Sequence, residues 1–459
     1  MPFIIPANTL ASGGFEVANS VRMNRGSTDH FRRTNTTAET SNKIGTYSGW
    51  VKRSTITLDG MMFEGKDLAA NNYTQIYFQA TGKLTVYGSG SSDIVSTALF
   101  RDPTAWYHIC VAFDTTQGTA ANRVKIYVNG VQLTSLTNGN GDAADYPDQN
   151  DVIYFAVNGD QQAIGIREDG ALLWNGYFSE VVYIDGAALA PTSFGEFDED
   201  SGIWKPIKVS GLTFGNNGCY LDFKDSSSLG NVVAGRTSVD FTVTNLTAID
   251  QTTDTCTNNF CTMNPLSSGM TLTEGNTNVA GAATAKSTFG VASGKWYVEM
   301  KATNAQTYNP IVGIATASSL NSGNPASSDH PGSFVESHGY DRSGVIKSND
   351  NTAVQSGLTT SQSDGDIIGL AIDLDSGTKT AQWYVNGSSV GSAVTLVSND
   401  AYVFMTYASG SQAGTGAWNF GNPSFTGTDK ADGNGFGSFE YQPPSGFLAL
   451  CTKNLAESG

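Results

Sequence analysis

The sequence is poor in charged residues and in stretches that favour long helices. Asp, Glu, Lys and Arg make up 15% of 459 residues, and no region is rich in Ala, Leu, Glu and Lys together. Glycine, by contrast, occurs 52 times, and Ser, Thr and Asn are abundant. Short strands joined by polar turns suit this composition. The sequence therefore predicts an all-β protein of roughly two to four domains.

Positive charge is scarce, and long apolar runs are missing. The 25 Lys and Arg face 42 Asp and Glu, which gives a formal net charge of −17. Such a surface repels phosphate backbones and anionic membranes, so we expect no nucleic-acid partner. No run approaches the ~20 apolar residues that span a bilayer, so no membrane insertion is expected. The first residues, Met-Pro-Phe-Ile-Ile-Pro, lack the features of a signal peptide, which indicates synthesis in a cytoplasm without export.

Cysteine is also scarce, and its five copies form an odd set. They are Cys110, Cys219, Cys256, Cys261 and Cys451. Cys256 and Cys261 could form a disulfide or bind a metal, but no second pair and no nearby histidine completes a zinc site. Free structural thiols are the favoured interpretation, and a disulfide is the alternative.

A unit of two strands occurs twice in the chain. Trp-Tyr-His-Ile-Cys-Val-Ala-Phe-Asp at residues 106–114 is followed by Val-Lys-Ile-Tyr-Val-Asn-Gly at 124–130. Ile-Ile-Gly-Leu-Ala-Ile-Asp at 367–373 is followed by Ala-Gln-Trp-Tyr-Val-Asn-Gly at 381–387. In each copy the return strand ends in Asn-Gly, a pair that tolerates positive φ and suits a tight hairpin. Two β-sandwich modules are predicted.

Strand and turn signals divide the chain into five parts. A short arm covers residues 1–14, and a first sandwich covers 15–190, where turn signals recur roughly every 8–12 residues. Residues 191–288 are polar with little periodicity, and we interpret them as an irregular connector with a few strands. A second sandwich covers 289–450, and a short tail covers 451–459.

The motifs of the first sandwich resemble a known family. Residues 15–186 are similar to the laminin-G/concanavalin-A-like sandwiches in Trp-Tyr-His at 106–108, Tyr-Val-Asn-Gly at 127–130 and Phe-Ser-Glu-Val at 178–181. The resemblance implies an antiparallel jelly roll.

The second sandwich, over residues 289–421, resembles SPRY domains. The shared motifs are Gly-Lys-Trp-Tyr-Val-Glu at 294–299, Val-Gly-Ile at 312–314, Gly-Asp-Ile-Ile-Gly at 365–369 and Trp-Tyr-Val-Asn-Gly at 383–387. Together the two resemblances imply two tandem antiparallel β-sandwiches.

The order of these modules is similar to that of proteins encoded by tailed bacteriophages, especially marine ones. Phe-Gly-Glu at 194–196 and Trp-Lys-Pro at 204–206 lie between the modules in the same way. The resemblance implies a virion location, other virion proteins as partners, and a tail fibre that binds a host-surface glycan or receptor through sandwich loops. A capsid decoration protein is the alternative. Phage fibres are commonly threefold, which implies a homotrimer, although no heptad stalk supports it.

One acidic stretch suggests a catalytic interpretation. Glu196 and Asp198 alternate along the chain and could act as the acid and the nucleophile of a glycosidase. The stretch resembles the catalytic strand of concanavalin-like glucanases, but Asp stands where the last Glu should be. A solvated acidic turn is favoured, no enzyme is expected, and a glycan depolymerase remains the alternative. His108 lies inside a strand and is predicted to be a packed core residue.

A bound calcium ion is the one cofactor that remains open. Asp142, Asp145 and Asp148 could supply clustered oxygen ligands, but they lack the spacing of an EF-hand. Ordinary turn residues are the favoured interpretation.

Five side chains are candidates for ligand binding in loops. Tyr146 and Trp174 could act as exposed aromatic platforms for sugars, although either could equally be a core side chain at a strand end. His338, Tyr340 and Asp341 are predicted to lie in a loop, and SPRY domains bind ligands through such loops. No serine in a nucleophile elbow accompanies them.

Overall fold

The computed structural model describes residues 14–88, 92–303, 310–321, 330–349, 351–358, 363–397, 399–408 and 415–459. Of the predicted arm, residues 1–13 lie outside the described residues. The chain divides into two compact units. We call residues 14–257 the N-terminal unit and residues 258–459 the C-terminal unit.

The N-terminal unit is built almost entirely of antiparallel strands. Its strands are β1 (Ser20–Met23), β2 (His30–Thr34), β3 (Ile44–Arg53), β4 (Gly60–Lys66), β5 (Tyr73–Phe78), β6 (Leu84–Gly88), β7 (Asp93–Ser96), β8 (Trp106–Asp114), β9 (Val124–Val128), β10 (Val131–Gln132), β11 (Leu136–Thr137), β12 (Gln161–Ile164), β13 (Gly176–Asp185), β14 (Gly195–Phe197), β15 (Trp204–Pro206), β16 (Cys219–Leu221), β17 (Ala234–Gly235), β18 (Thr242–Thr244) and β19 (Gln251–Thr252). Short 3₁₀ turns cover Arg25–Ser27, Ala120–Asn122, Pro191–Ser193 and Ala248–Asp250.

Two sheets form the sandwich of this unit. The nine-stranded sheet has the order β10-β9-β8-β3-β13-β1-β19, with β16 beside β13 and β17 beside β16. The eight-stranded sheet has the order β11-β7-β6-β5-β4-β12-β2-β18. The core lies between them, where Phe63 of β4 contacts Tyr183 of β13 with ring centroids 5.6 Å apart. Alternate residues of β5, β6, β8 and β9 fill this core, as expected for pleated strands with one face against it.

The outer face of the nine-stranded sheet is covered as well. Trp50 and Trp106 form a second buried cluster with Trp204 of the β14–β15 hairpin. A buried ion pair joins Lys52 and Asp254 at 2.8 Å, and Trp106 donates its indole N–H to Asp254 at 3.1 Å. Residues that follow the first sandwich in the sequence therefore belong to its structure.

Residues of the predicted connector, 191–288, are divided between the two units. In the N-terminal unit β18 pairs with β2, and β19 pairs with β1. These strands are two or three residues long, so they have too few residues to show a period of two.

The C-terminal unit has a second sandwich. Its strands are β20 (Thr271–Thr273), β21 (Asn278–Ala280), β22 (Thr284–Val291), β23 (Lys295–Thr303), β24 (Ile311–Thr316), β25 (Ser337–Asp341), β26 (Val345–Ser348), β27 (Thr352–Gln355), β28 (Ile367–Asp373), β29 (Lys379–Val385), β30 (Ser388–Leu396), β31 (Tyr402–Tyr407) and β32 (Thr415–Asn419). Its helices are α1 (Ala317–Asn321) and α2 (Thr452–Ser458), and a 3₁₀ turn covers Pro265–Ser267. The predicted tail, 451–459, thus contains a helix.

Seven strands in the order β20-β21-β32-β23-β28-β29-β30 pack on six in the order β22-β31-β24-β25-β26-β27. The core between them includes Trp296, Trp383 and Trp418, each fully buried. At the edge of the larger sheet, the side chain of Gln355 donates to the carbonyl of Ser392 at 2.6 Å and accepts from its N–H at 2.7 Å. A side-chain amide thereby pairs with the edge strand β30 as a peptide group would.

Both predicted Asn-Gly turns are present. Asn129 and Asn386 have φ of 48° and 49°, and Gly130 and Gly387 both have φ of 77°. The side chain of Asn129 accepts from the backbone N–H of His108 at 2.8 Å, and Asn386 makes the corresponding bond at 2.9 Å. The same local sequence closes the same turn in each unit.

All five cysteines are free thiols, and four of them are buried. No helix among the described residues is both long and apolar enough to span a bilayer.

Candidate functional site

Trp174 is buried and cannot serve as the exposed platform that was considered for it. The side chain is 2% exposed and packs between Phe78 and Phe178, with ring centroids 6.3 and 4.8 Å away. Trp174 lies two residues before β13, and its side chain points into the core. The alternative interpretation, a core side chain at a strand end, is the one that the structure supports.

The predicted loop of His338, Tyr340 and Asp341 is instead strand β25, and all three side chains are buried. His338 and Tyr340 lie opposite the core residues Ile314 and Val312, so they share the core face. Burial lowers the pKa of His338 to about 4. The expectation of an exposed loop was wrong, because a short strand with polar residues resembles a loop in sequence.

Asp341 is also held within the unit. Its carboxylate accepts from the hydroxyl of Ser343 at 2.6 Å and lies 3.3 Å from the ammonium of Lys347. These contacts fix the turn between β25 and β26, so this predicted ligand-binding carboxylate has a structural role.

The acidic loop considered for calcium contains ordinary turn contacts. Asp145 accepts from the side chain of Asn138 at 3.0 Å, and the backbone N–H of Asp148 donates to Asp151 at 2.7 Å. Asp142 is exposed. Within the part of the chain that the structure describes, no group of three or more His, Cys, Asp or Glu side chains could hold a metal ion. Tyr146, in the same loop, is partly exposed and packs against the core.

Glu196 and Asp198 lie on β14 and its turn, and both contact Lys205. The ammonium of Lys205 is 3.4 Å from Glu196 and 3.1 Å from Asp198. Hydrogen bonds from Ser201, followed by the bond from Lys205, lower the pKa of Asp198 to about 2. Asp198 is therefore held as a carboxylate paired with Lys205.

His108 is a core residue, as the sequence predicted. The indole N–H of Trp204 donates to Nδ1 of His108 at 3.1 Å, so Nδ1 is unprotonated and Nε2–H faces the hydroxyl of Ser48 at 2.8 Å. Burial lowers the pKa of His108 to about 3, which keeps the ring neutral.

A different set of polar side chains meets on the eight-stranded sheet. Glu64 of β4 lies opposite Gln75 of β5, and Gln75 lies opposite Tyr87 of β6. Opposite residues share a face of the sheet, whereas the alternate residues Phe63 and Ile76 fill the core. Glu64, Gln75 and Tyr87 therefore point away from the core.

These side chains line a cleft with a volume of about 230 Å³. The lining also includes Lys66, Asn71, Tyr73, Tyr77, Arg167, Glu168, Asp169 and Leu172. Pockets for drug-sized ligands commonly measure ~300–1,000 Å³, so a cleft of this size suits one small ring with polar substituents.

Tyrosine rings form the aromatic part of the cleft. Tyr73 and Tyr87 are stacked, with ring centroids 5.8 Å apart and planes inclined by 20°. The ammonium of Lys66 lies 5.1 Å from the centre of the Tyr73 ring and donates to the side chain of Asn71. The stacked pair offers a flat apolar surface beside hydrogen-bonding groups.

Glu64 is the buried carboxyl of the cleft, at 1% exposure. One oxygen accepts from the side chain of Gln75 and the other from the backbone N–H of Glu168, both at 2.6 Å. Burial raises the pKa of Glu64 to about 7, although these hydrogen bonds oppose the shift. Its charge therefore changes close to neutral pH.

The loop that follows β12 forms the rim of the cleft. Arg167 donates to both oxygens of Asp169, at 2.9 and 2.6 Å. Leu172 has φ of 49°, and its carbonyl accepts from Met61 at 2.7 Å. Positive φ is uncommon for a residue with a branched side chain, so the structure holds this loop against local strain.

The same unit matches a known family. Residues 25–191 match the model of the concanavalin A-like lectin/glucanases superfamily, of laminin G type. The match lies within the N-terminal unit, and this unit is therefore similar to laminin G domains. No curated protein matches the chain significantly.

Three solved structures are among those that are similar to parts of the chain. A putative carbohydrate binding protein from Bacteroides ovatus is 16% identical over 51% of this chain and 60% of its own, with a TM-score of 0.33. Domains LG4-5 of the mouse laminin alpha1 chain are 12% identical over 89% of this chain and 90% of their own, with a TM-score of 0.29. The SPRY domain of human HERC1 is 15% identical over 34% of this chain and 96% of its own, with a TM-score of 0.27. The predicted class, all-β with two antiparallel sandwiches in tandem, is confirmed.

The cleft of the N-terminal unit was not predicted from the sequence. Tyr73, Gln75 and Tyr77 alternate with core residues along β5, and this period of two was available. Separating the two faces of β5 and β6 would have placed Gln75 and the tyrosines of these strands on one side. The rim loop carried no comparable signal, because it lies about a hundred residues further along the chain.

Proposed function

We propose that this chain is a non-enzymatic attachment protein of a bacteriophage particle, and that the cleft binds a glycan of the host surface. One observation carries the proposal: the stacked pair of Tyr73 and Tyr87 lies beside the hydrogen-bonding groups of Glu64 and Gln75. Sugar rings pack on aromatic faces while their hydroxyls bind carboxylates and amides. The lectin/glucanase family of residues 25–191 supports the same ligand class. The phage assignment rests on the order of motifs described above.

Replacing Tyr87 by alanine tests the cleft. We expect glycan affinity to fall about tenfold, because an aromatic contact is worth about 0.5–1.5 kcal/mol beyond its buried area. Tyr146→Ala is the matched control, since Tyr146 is a partly exposed tyrosine of the same unit outside the cleft lining. Binding would be measured on a glycan array and then by calorimetry with the best ligand. Equal loss in the two variants, or loss only in Tyr146→Ala, would contradict the assignment of the cleft.

The non-enzymatic part is tested with host polysaccharide. No release of reducing ends is expected. Release that disappears in Glu196→Gln would restore the depolymerase alternative with the predicted pair. Release that disappears in Glu64→Gln would make the cleft a hydrolytic site, with the carboxyl whose pKa is near 7 as the proton donor.

The position of the chain on the virion distinguishes an attachment protein from a capsid decoration protein. Labelled chain seen at the tail in electron micrographs of virions would support attachment to the host. Label distributed over the capsid surface would favour the decoration protein instead.

A further inference from the structure

The two cations of the cleft are already engaged within the protein. Both oxygens of Asp169 accept from the guanidinium of Arg167, in the paired geometry that makes arginine–carboxylate contacts strong. Lys66 is 7% exposed, donates to Asn71 and lies over the Tyr73 ring. Both cations therefore already have partners within the protein.

The carboxylates of the cleft outnumber these cations. Glu64, Glu168 and Asp169 face Lys66 and Arg167, so the lining carries a net charge of −1 when Glu64 is ionised. Among the described residues no side chain donates to the carboxylate of Glu168, and its charge is thus available to repel an anion.

We propose that the cleft selects uncharged sugars and excludes acidic ones, such as uronic acids and sialylated or sulfated glycans. This inference rests on the proposed glycan binding and adds the class of sugar. An acidic substituent would meet an excess of carboxylate in a site whose cations have partners, and it would lose its hydration without gaining a counter-ion.

The test uses pairs of oligosaccharides that differ only by oxidation at C6: oligogalactosides with oligogalacturonides, oligoglucosides with oligoglucuronides, and oligomannosides with oligomannuronides. At low salt and pH 8, the neutral member of the best-binding pair should bind on the order of tenfold more tightly, as expected for one charge repelled near a protein surface. Equal binding of both members, or tighter binding of the acid, would overturn the inference while leaving glycan binding intact. If no neutral sugar binds, or if Tyr87→Ala does not weaken binding, the proposed function itself fails.

Asp169→Asn should increase the affinity for the acidic sugar. Removing this carboxylate frees the guanidinium of Arg167, so the acidic member of the pair should gain on the order of tenfold in affinity. Asp225→Asn makes the same change of charge at an exposed turn outside the cleft lining and should leave discrimination unchanged. Equal gains in both variants would show that overall charge, and not the cleft, excludes acids, which would overturn the inference.

The pH dependence of sugar binding is an independent test of the same charges. The groups that face the carboxyl of Glu64 are Lys66, Tyr73, Gln75, Arg167 and Glu168. Because the pKa of Glu64 is raised to about 7, its protonation below about pH 6 removes one negative charge from the lining. The preference for the neutral sugar should narrow between pH 8 and pH 5.5 in the wild type and not in Glu64→Gln. An unchanged preference in the wild type would count against the charge mechanism.

Discussion

Replacing Gly130 or Gly387 by alanine strains the same turn in the two units, but the structure predicts different costs. Both glycines have φ of 77°. A residue with a Cβ in this left-handed region costs about 1–2 kcal/mol. That part of the loss should be the same for both variants.

The aromatic rings above the two glycines make the difference. A Cβ on Gly130 would lie 2.3 Å from the ring of Trp204, and one on Gly387 would lie 2.5 Å from the ring of Tyr441. Trp204 is buried and bonded to His108, so moving it also loses a hydrogen bond worth about 1 kcal/mol. Tyr441 is partly exposed, so we expect its ring to move at a lower cost. We therefore expect Gly130→Ala to cost about 2–3 kcal/mol and Gly387→Ala about 1–2 kcal/mol.

Scanning calorimetry measures both losses. Each unit has its own core, so two transitions are expected, each lowered by one variant only. For domains of about 200 residues, 1 kcal/mol lowers Tm by about 2–4 °C, which gives about 4–12 °C for Gly130→Ala and about 2–8 °C for Gly387→Ala. A single transition lowered equally by either change would refute the idea of two separate cores. Equal losses in two transitions would refute the role given to Trp204.

Three further predictions concern pH and assembly. The pKa of His108 in the folded protein, about 3, lies below its usual value of 6.5. The stability of the N-terminal unit should therefore fall by up to about 1.4 kcal/mol per pH unit as the pH drops from 6 towards 3. Urea unfolding should show a smaller drop in His108→Gln, and an equal drop would contradict the prediction. Glu180 has the opposite effect, because burial raises its pKa to about 7. The N-terminal unit should lose stability as the pH rises and this carboxyl ionises. Glu180→Gln should therefore stabilise the unit at pH 8 but not at pH 4. Sedimentation should find a homotrimer, and a monomer at all concentrations would exclude it.

The elements that the sequence predicted correctly are specified by local patterns of residues. The Asn-Gly turns and the apolar strands before them are specified within about twenty residues, so their signal survives without knowledge of their partners. β18 and β19 differ, because their positions depend on β2 and β1, more than two hundred residues away. Pairing over such distances leaves little trace in short polar segments.

The site was harder to predict than the fold for a related reason. Trp174 and His338 lie near turn residues in the sequence, which predicts exposed side chains. Exposure depends, however, on the face of the strand that a side chain occupies, and a shift of one residue moves the side chain to the opposite face. The cleft combines side chains from three adjacent strands with Arg167 from a distant loop. Each contributor is ordinary in its own segment, and only the assembled sheet brings them together.

The amide of Gln355 has a consequence for many copies of this chain held side by side. β30 contains no lysine and no proline, the residues that usually keep an edge strand from recruiting another chain. By occupying the peptide group of Ser392, the carboxamide ends the hydrogen-bond ladder with a side chain that cannot be extended. A dense array of identical copies therefore has less opportunity to grow into a shared cross-β ribbon. At Ser392, one neutral side chain occupies the position that a strand of another copy would need.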